Sequence, residues 1–351
     1  MNFQEKDFIR NDKPITPAGR LQLHQEAPSN IALVKYWGKY PVQLPMNPSV
    51  SFTLNQSKTI TKAKLIPLKK PAPQTDFRFF FNGIHQPDFE PKMADFFQRI
   101  EKYAPYINYF HWEIHSQNTF PHSSGIASSA SAFAALAKLI IELEKKLFTE
   151  KNAELLLAKT SFLARLGSGS ASRSVAHPVM IWGEHPEISN TSDLYAVQPE
   201  FDLHPAFQNY RDTIVLVEKG QKKVSSTAGH NLMNHHKYKD IRRQSAFDNA
   251  LKMHQILQTG DIETFIELTE AEALELHALM MTSQPNYLLM MPETIRILHL
   301  IRKIRQQSHI PVCFTLDAGA NVHILYPQNY QSKLDKTLFN RIESDLIKDH
   351  I

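Results

Sequence analysis

The sequence predicts an α+β fold organised as two domains. Its 351 residues are a usual length for two domains. Strand-like and helix-like stretches alternate along the chain, but without the strict βαβ period of a doubly wound sheet. A polar stretch that contains prolines, PEFDLHPAFQNYRD, separates the two parts. We therefore expect an N-terminal domain over residues 1–207 and a C-terminal domain over residues 208–351.

The first part begins with a polar terminus, residues 1–20, which we expect to be loosely held. Alternation of apolar and polar residues from about 30 to 68 predicts strands. An aromatic run followed by Asn82 and Gly83 predicts a β-hairpin, because both residues tolerate the positive φ angles of a tight turn. The next elements are predicted, in order, as a helix at 91–104, a strand at 109–118, helices from 128 onward and over 152–166, and a strand at 177–183.

The second part mixes strands and helices in the same way. Its elements are predicted as a strand at 213–218, helices at 238–258, 261–282 and 291–307, strands at 312–317 and 321–327, and a closing helix at 332–344. Cys313 is the only cysteine and lies in the apolar, β-branched stretch IPVCFTL. We expect it to be buried in a strand, and one cysteine excludes an intrachain disulfide.

Charge and hydropathy exclude several classes of function. The formal net charge is +4, and the lysines and arginines are spread along the chain without a long basic block. Nucleic acid is therefore not an expected partner. The N-terminus has no apolar leader, and no stretch of 18 apolar residues occurs. We expect a protein of the reducing cytoplasm that neither is secreted nor spans a membrane.

Two loops rich in serine and glycine are candidate anion sites. PHSSGIASSAS, residues 121–131, precedes a long helix, whose first N–H groups and dipole favour an anion. Gly125 would permit the turn, while Ser128 and Ser129 offer hydroxyls. The alternative is a tightly packed helix start, and composition does not decide between them. The loop does not match the Walker A pattern.

The second loop is GSGSASRS, residues 167–174. Ser168 and Ser170 offer hydroxyls, and Arg173 offers a fork of donors suited to phosphate or carboxylate. The alternative is a flexible connection between a helix and a strand. A single arginine placed among serines favours a binding site.

Two charged residues in apolar surroundings are further candidates. Lys35 lies within APSNIALVKYWGKY, and its alternation suggests that it faces inward, where it needs an anionic partner. The alternative is that Lys35 lies on an edge strand and extends its amine to the solvent. Asp317 follows an apolar strand in TLDAGAN and is placed to act as a base in a cleft. Taken alone, the motif is better explained by an ordinary turn aspartate.

These four segments together closely resemble the diphosphomevalonate decarboxylases of the GHMP kinase superfamily, from about residue 24 to about residue 328. LPMNPSVSFTL and SSTAGH add to the resemblance. It implies an N-terminal domain like ribosomal protein S5 domain 2, a ferredoxin-like C-terminal domain, and a cleft for ATP and substrate. The implied reaction is ATP-dependent, Mg²⁺-assisted decarboxylation of mevalonate 5-diphosphate to isopentenyl diphosphate. The family is commonly homodimeric.

The resemblance also implies roles for individual residues. Asp317 would orient or deprotonate the substrate hydroxyl, Lys35 would lie beside it, and Arg173 would hold the carboxylate or the diphosphate. The remaining positions divide into substrate-binding residues Tyr36, Lys39, Ser168 and Ser170 with supporting Asn30 and Ser226, and the ATP phosphate loop with Ser123, Ser124, Gly125, Ser128 and Ser129. No residue is predicted as a built-in metal ligand, although His230, His235 and His236 lie close together.

Two departures from the family pattern stand out. The phosphate loop has His122, Ser123 and Ser124 where the family usually has Thr-Ala-Ala, and His230 replaces a frequent methionine. Two other functions stay open. One is a decarboxylase of mevalonate monophosphate, and the other is a non-catalytic protein that binds a metabolite on the same fold.

Overall fold

The computed structural model describes residues 2–10, 19–121, 126–149, 152–218 and 226–351, without the side chains of Ser226 and Thr227. The elements of the first part are strands β1 (Leu21–Val34), β2 (Lys39–Tyr40), β3 (Leu44–Pro45), β4 (Ser49–Pro67), β5 (Asp76–Phe81), β6 (Ile84–His85), β7 (Phe110–Asn118) and β8 (Val179–Trp182), with helices α1 (Glu90–Ile100), α2 (Ser128–Leu147) and α3 (Ala153–Gly167). The second part has strands β9 (Tyr210–Leu216), β10 (Cys313–Thr315), β11 (Val322–Pro327) and β12 (Asp345–His350), with helices α4 (Ser226–Leu232), α5 (Lys239–Thr259), α6 (Ile262–Met281), α7 (Pro292–Ser308) and α8 (Gln331–Thr337).

The α+β fold is confirmed. One sheet runs in the order β1-β4-β7-β5-β6, with β8 paired to the start of β4. A second sheet runs β10-β11-β9-β12 and is antiparallel throughout. The first sheet is mixed, because β5 pairs with β7 in parallel. The boundary at residue 207 stays a prediction.

The long strand β1 carries the chain from the surface to the centre of the molecule. The first six residues of β1 are mostly exposed or half-buried, whereas its last eight residues are all buried. Ile31 and Leu33 belong to a core cluster that also contains Ile214 and Phe265 from the second part. Residues that follow β1 therefore lie in the region where the two parts of the chain meet.

The predicted hairpin is confirmed. Phe80 pairs with His85 and Phe81 with Ile84 across a two-residue turn. Asn82 and Gly83 have φ angles of 50° and 80°, which is the backbone of a type I′ turn. The predicted burial of Cys313 in a strand is also confirmed.

Two expectations were wrong. The closing helix ends at Thr337 rather than 344, and the chain then forms β12, which pairs with β9. The sequence of β12, DLIKDH, does not alternate apolar and polar residues, and its one buried residue is Asp349. The pattern therefore did not indicate a strand. The N-terminus is not loosely held throughout either, because Phe8 is completely buried and packs against Phe162 at 4.7 Å between ring centroids.

None of the helices in the described part of the chain combines the length and the hydropathy that crossing a bilayer requires.

Candidate active site

Lys35 and Asp317 meet at the junction of the two parts of the chain. Lys35 directly follows β1, and Asp317 comes two residues after β10. Nζ of Lys35 lies 3.1 Å from Oδ1 of Asp317 and donates to the carbonyl of Ala32 at 2.7 Å. The lysine is 2% exposed but the aspartate 31%, so the ammonium is buried while the carboxylate is partly exposed.

Burial lowers the pKa of Lys35 below its ordinary value of 10.5. The negative charges of Asp317 and Glu272 act in the opposite direction, and Arg173 acts with burial. The protonated form of this lysine therefore depends on its two acidic neighbours, because a buried ammonium is costly without a counter-charge.

The backbone of Lys35 is held from both sides by a buried ion pair. A carboxylate oxygen of Glu272, on α6, accepts the N–H of Lys35 at 2.8 Å. Arg242, on α5, donates to the carbonyl of Lys35 at 2.9 Å and to Glu272 at 2.8 Å through both terminal nitrogens. Neither residue was foreseen from the sequence, because a charge on a helix usually lies in solvent and no spacing motif marks this pair.

Arg173 is the third of the predicted catalytic residues. It is 3% exposed, and its guanidinium hydrogen-bonds to the Ser49 hydroxyl and, at 3.4 Å, to Oδ1 of Asn30. Burial lowers its pKa to about 10, although the charge of Asp317 opposes the shift. The arginine therefore stays charged at neutral pH. Its Nε has no hydrogen-bond partner among the described residues, which leaves donor capacity for a ligand.

Three serine hydroxyls connect the two predicted anion loops. Ser129, in the first turn of α2, has its hydroxyl oxygen 3.5 Å from that of Ser168, and Ser168 is 3.4 Å from Ser170. The amide of Asn30 donates to the Ser170 carbonyl at 3.1 Å and to the Ser174 hydroxyl at 2.7 Å. The structure thus brings together residues predicted for ATP and residues predicted for the substrate.

Tyr36 faces the second loop. A Cβ atom on Gly169 would lie 2.6 Å from the Tyr36 hydroxyl oxygen and 2.9 Å from the Trp182 ring, so only glycine fits there. The Tyr36 hydroxyl is buried and has no hydrogen-bond partner among the described residues. An unpaired buried hydroxyl is costly, and a bound phosphate oxygen would satisfy it.

Lys39 lies in a region of excess positive charge. It is half-buried and donates to the Gln43 side chain at 3.1 Å. Its pKa is lowered mainly by burial and further by Arg99 and Lys92, both of which are cations. A cluster of like charges of this kind favours a polyanionic ligand.

A pocket lies beside the start of α2. Its cavity volume is about 140 Å³, and its lining combines aromatic side chains with hydroxyls and one lysine. Phe79, Phe81 and Phe89 supply apolar walls, and Lys92 stands at its edge with Ser128 and Ser129. An apolar chamber next to hydroxyls and a cation suits a ligand with one flat apolar end and one anionic end.

The remaining predicted site residues lie at the edge of the described structure. Ser123, Ser124 and Gly125 fall outside the described residues. Ser226 begins α4, but its side chain is not described. Nε2 of the buried His277 lies 3.1 Å from the Asp317 carbonyl, a contact that the sequence did not indicate. No group of three or more metal-ligating side chains occurs within the described ranges.

Comparison with known proteins agrees with this geometry. The chain matches the family models for a diphosphomevalonate decarboxylase-like N-terminal domain over residues 27–195 and a mevalonate 5-diphosphate decarboxylase C-terminal domain over residues 213–349. It is 30% identical to the diphosphomevalonate decarboxylase of Saccharomyces cerevisiae, over 88% of this chain and 78% of that protein.

Solved structures extend the match to three dimensions. Mevalonate diphosphate decarboxylase from Staphylococcus aureus is 28% identical, with a TM-score of 0.81 over 95% of this chain and 96% of that one. MDDEF in complex with MVAPP, AMPPCP and magnesium is 27% identical, with a TM-score of 0.80 over 94% and 97% of the two chains. The fold is accordingly the two-domain GHMP kinase fold. The chain belongs to the diphosphomevalonate decarboxylase family.

Proposed function

We propose that this protein catalyses the ATP-dependent decarboxylation of mevalonate 5-diphosphate to isopentenyl diphosphate, with release of ADP, phosphate and carbon dioxide. The observation that carries the proposal is the 3.1 Å contact between buried Lys35 and partly exposed Asp317, whose charge also acts on the buried Arg173. One acid among cations is the arrangement needed to activate a hydroxyl for phosphoryl transfer.

Asp317 activates the tertiary C3 hydroxyl of the substrate. Its partly exposed carboxylate accepts the hydroxyl proton as the oxygen attacks the γ-phosphorus of ATP. Lys35 places a positive charge beside the carboxylate and offsets negative charge as it moves to the phosphoryl group. This division of roles is consistent with the exposure of the two side chains, which is 31% for Asp317 and 2% for Lys35.

Arg173 serves the second step, in which the C3 phosphate leaves. The C3–O bond breaks with its electron pair on the phosphate, and the bond to the carboxylate supplies the electrons of the new double bond. Arg173 holds the reacting anions, because its guanidinium is buried and its Nε lacks a partner among the described residues. Burial also excludes water, which would trap the developing cation at C3.

The diphosphate of the substrate lies between Lys39 and the second serine loop. Tyr36, Ser168 and Ser170 donate to its oxygens, and Lys39 offsets its charge. Asn30 supports the second serine loop through its hydrogen bonds to Ser170 and Ser174, and Ser226 is assigned a supporting role by the family pattern. The unpaired Tyr36 hydroxyl and the cationic surroundings of Lys39 support this assignment.

ATP is the second substrate, and Mg²⁺ accompanies it. Ser123, Ser124, Gly125, Ser128 and Ser129 form the phosphate loop, and the aromatic pocket beside Ser128 takes the nucleoside. Ser128 or Ser129 would supply the hydroxyl that contacts the γ-phosphate or Mg²⁺, since Mg²⁺ in nucleotide sites keeps several waters and binds substrate phosphates. When bound, the ion would neutralise part of the negative charge of the phosphates. A structure of the relative MDDEF holds MVAPP, AMPPCP and magnesium together, which supports this combination.

The protein acts as a homodimer in the cytoplasm on this proposal. A decarboxylase of the monophosphate would share Asp317, Lys35 and Arg173, whereas a binding protein would have no use for the Lys35–Asp317 pair.

An assay of ADP and carbon dioxide release separates the three functions. Mevalonate 5-diphosphate, mevalonate monophosphate and mevalonate are supplied in turn with Mg-ATP. We expect equal amounts of ADP and carbon dioxide with the diphosphate and much slower turnover with the others. Preference for the monophosphate, or binding without turnover, would contradict the proposal.

A further inference from the structure

His230 lies beside the residues that are predicted to bind the diphosphate of the substrate. It lies on α4, and its side chain is 8% exposed. The ring centroid is 4.2 Å from that of Tyr36 and 5.0 Å from that of Trp37. The histidine is therefore packed directly against Tyr36, whose hydroxyl reaches the second serine loop.

The hydrogen bonding of the ring fixes its tautomer. The backbone N–H of Gly38 donates to Nδ1 of His230 at 3.0 Å. A backbone N–H can only donate, so Nδ1 carries no proton, and the proton of the neutral ring is on Nε2. Nε2 makes no hydrogen bond to any residue that the structure describes. The ring thus presents one unused donor.

The ring stays neutral because of its surroundings. Burial, followed by the positive charges of Lys39 and Arg173, lowers the pKa of His230 to about 3. An imidazolium here would add a further buried cation beside two others. A neutral imidazole adds a hydrogen-bond donor at this place without that cost.

Two unused donors belong to adjoining rings in a cationic region. One is Nε2–H of His230, and the other is the buried Tyr36 hydroxyl, which also lacks a partner among the described residues. Lys39 and Arg173 supply the positive charge around them. Donors without acceptors among cations are what an anion with many oxygens would satisfy.

We propose that His230 is a substrate-binding residue whose Nε2–H donates a neutral hydrogen bond to the phosphate end of mevalonate 5-diphosphate. The assignment rests on the proposed function, because that function defines the ligand. It gives the histidine a role that the methionine expected from the family pattern cannot fill, since a thioether has no donor.

Three variants separate the donor from the bulk of the ring. In His230→Asn the side-chain oxygen takes the place of Nδ1 and accepts from Gly38, but nothing donates from the position of Nε2. In His230→Gln the longer side chain places an N–H near the position of Nε2. His230→Met keeps the bulk and removes both hydrogen bonds.

The KM for mevalonate 5-diphosphate, measured by steady-state kinetics, then shows whether the Nε2–H donor contributes to binding. A hydrogen bond to a charged oxygen contributes roughly one to two factors of ten in affinity. We expect KM for this substrate to rise by about 10- to 100-fold in His230→Asn and His230→Met, with KM for ATP unchanged, and to stay within about threefold in His230→Gln. Equal losses in all three variants would overturn the proposal, because they would mean that the ring only packs between Tyr36 and Trp37.

Turnover of mevalonate 5-diphosphate by the wild-type protein distinguishes failure of this proposal from failure of the proposed function. If the wild type does not turn over mevalonate 5-diphosphate, the proposed function is wrong. If it does, and His230→Asn has an unchanged KM, the role of His230 is wrong. Nitrogen-15 NMR of the wild-type histidine rings, with the His230 signal assigned by its loss in His230→Gln, tests the tautomer without turnover. A proton on Nδ1 instead of Nε2 would also overturn the assignment.

Discussion

The buried carboxylate of Glu272 accepts the backbone N–H of Lys35 at 2.8 Å. It also raises the pKa of the Lys35 ammonium, against the larger lowering effect of burial. One acid on α6 thus positions a residue that follows β1 and, after Asp317, helps to keep that residue protonated. The partner of Glu272, Arg242, completes the attachment by holding the Lys35 carbonyl.

The first prediction concerns the charge of Glu272. Glu272→Gln keeps an oxygen for the Lys35 N–H but removes a negative charge that holds a proton on Lys35. The pKa of Lys35 should fall further, so the alkaline limb of the kcat–pH profile should move to lower pH. The buried Arg242 loses its main counter-charge, and we expect unfolding free energy to drop by about 3 kcal/mol.

Glu275→Gln is the matched control. Glu275 also pairs with Arg242, at 2.9 Å, but it is 30% exposed and makes no hydrogen bond to Lys35. The alkaline limb of the kcat–pH profile of Glu275→Gln should coincide with that of the wild type. A limb that moves equally in both variants would show that Glu272 does not act on Lys35 specifically.

The second prediction concerns Lys39. Lys39→Ala should raise KM for mevalonate 5-diphosphate by about tenfold with little change in kcat, because it removes charge that binds the ground state and the transition state alike. Lys348→Ala, which removes an exposed lysine paired with Asp335, serves as the control and should change neither constant. A main effect of Lys39→Ala on kcat would contradict its assignment to binding.

The third prediction concerns the close approach of Tyr36 to Gly169. In Gly169→Ala the new methyl group would lie 2.6 Å from the Tyr36 hydroxyl oxygen, so the loop or the tyrosine must move. We expect a higher KM for the diphosphate substrate and a loss of about 1–3 kcal/mol in unfolding free energy. Gly19→Ala, where no atom lies within 4 Å of the new methyl group, should be neutral in both measurements.

The fourth prediction concerns acid stability. The pKa of His230 is about 3 in the folded protein, against about 6.5 in the unfolded chain. The unfolded state therefore binds a proton first, and stability is lost as the pH falls through this interval. Between pH 7.5 and pH 5 the wild type should lose about 2 kcal/mol more than His230→Asn in denaturant unfolding. Parallel losses would show that the ring is not held neutral.

Local signals in the sequence predicted the loops and the charged residues of the site. Gly169 and its serine neighbours, the Asn82–Gly83 turn and the lysine after β1 each follow from residue chemistry over a few positions. Their convergence did not follow, because Lys35 and Asp317 are 282 residues apart in sequence. The resemblance to a family supplied that relationship.

Features created by packing between the two parts of the chain escaped prediction. Arg242 and Glu272 look like ordinary helix-surface charges, and their burial depends on where β1 ends. Likewise, β12 is mostly polar and forms because β9 offers it a free edge. His230 was noticed as a departure, but the bond from Gly38 that fixes its tautomer exists only in the folded chain.

The pair of Lys35 and Asp317 is the centre of the account, and Asp317→Asn tests it most directly. Release of ADP and carbon dioxide from mevalonate 5-diphosphate should nearly cease, while the dissociation constant of the substrate should stay within about tenfold of the wild-type value, because the lost interaction acts mainly in the transition state. Turnover near the wild-type rate in this variant would contradict the assignment of Asp317 as the residue that activates the hydroxyl.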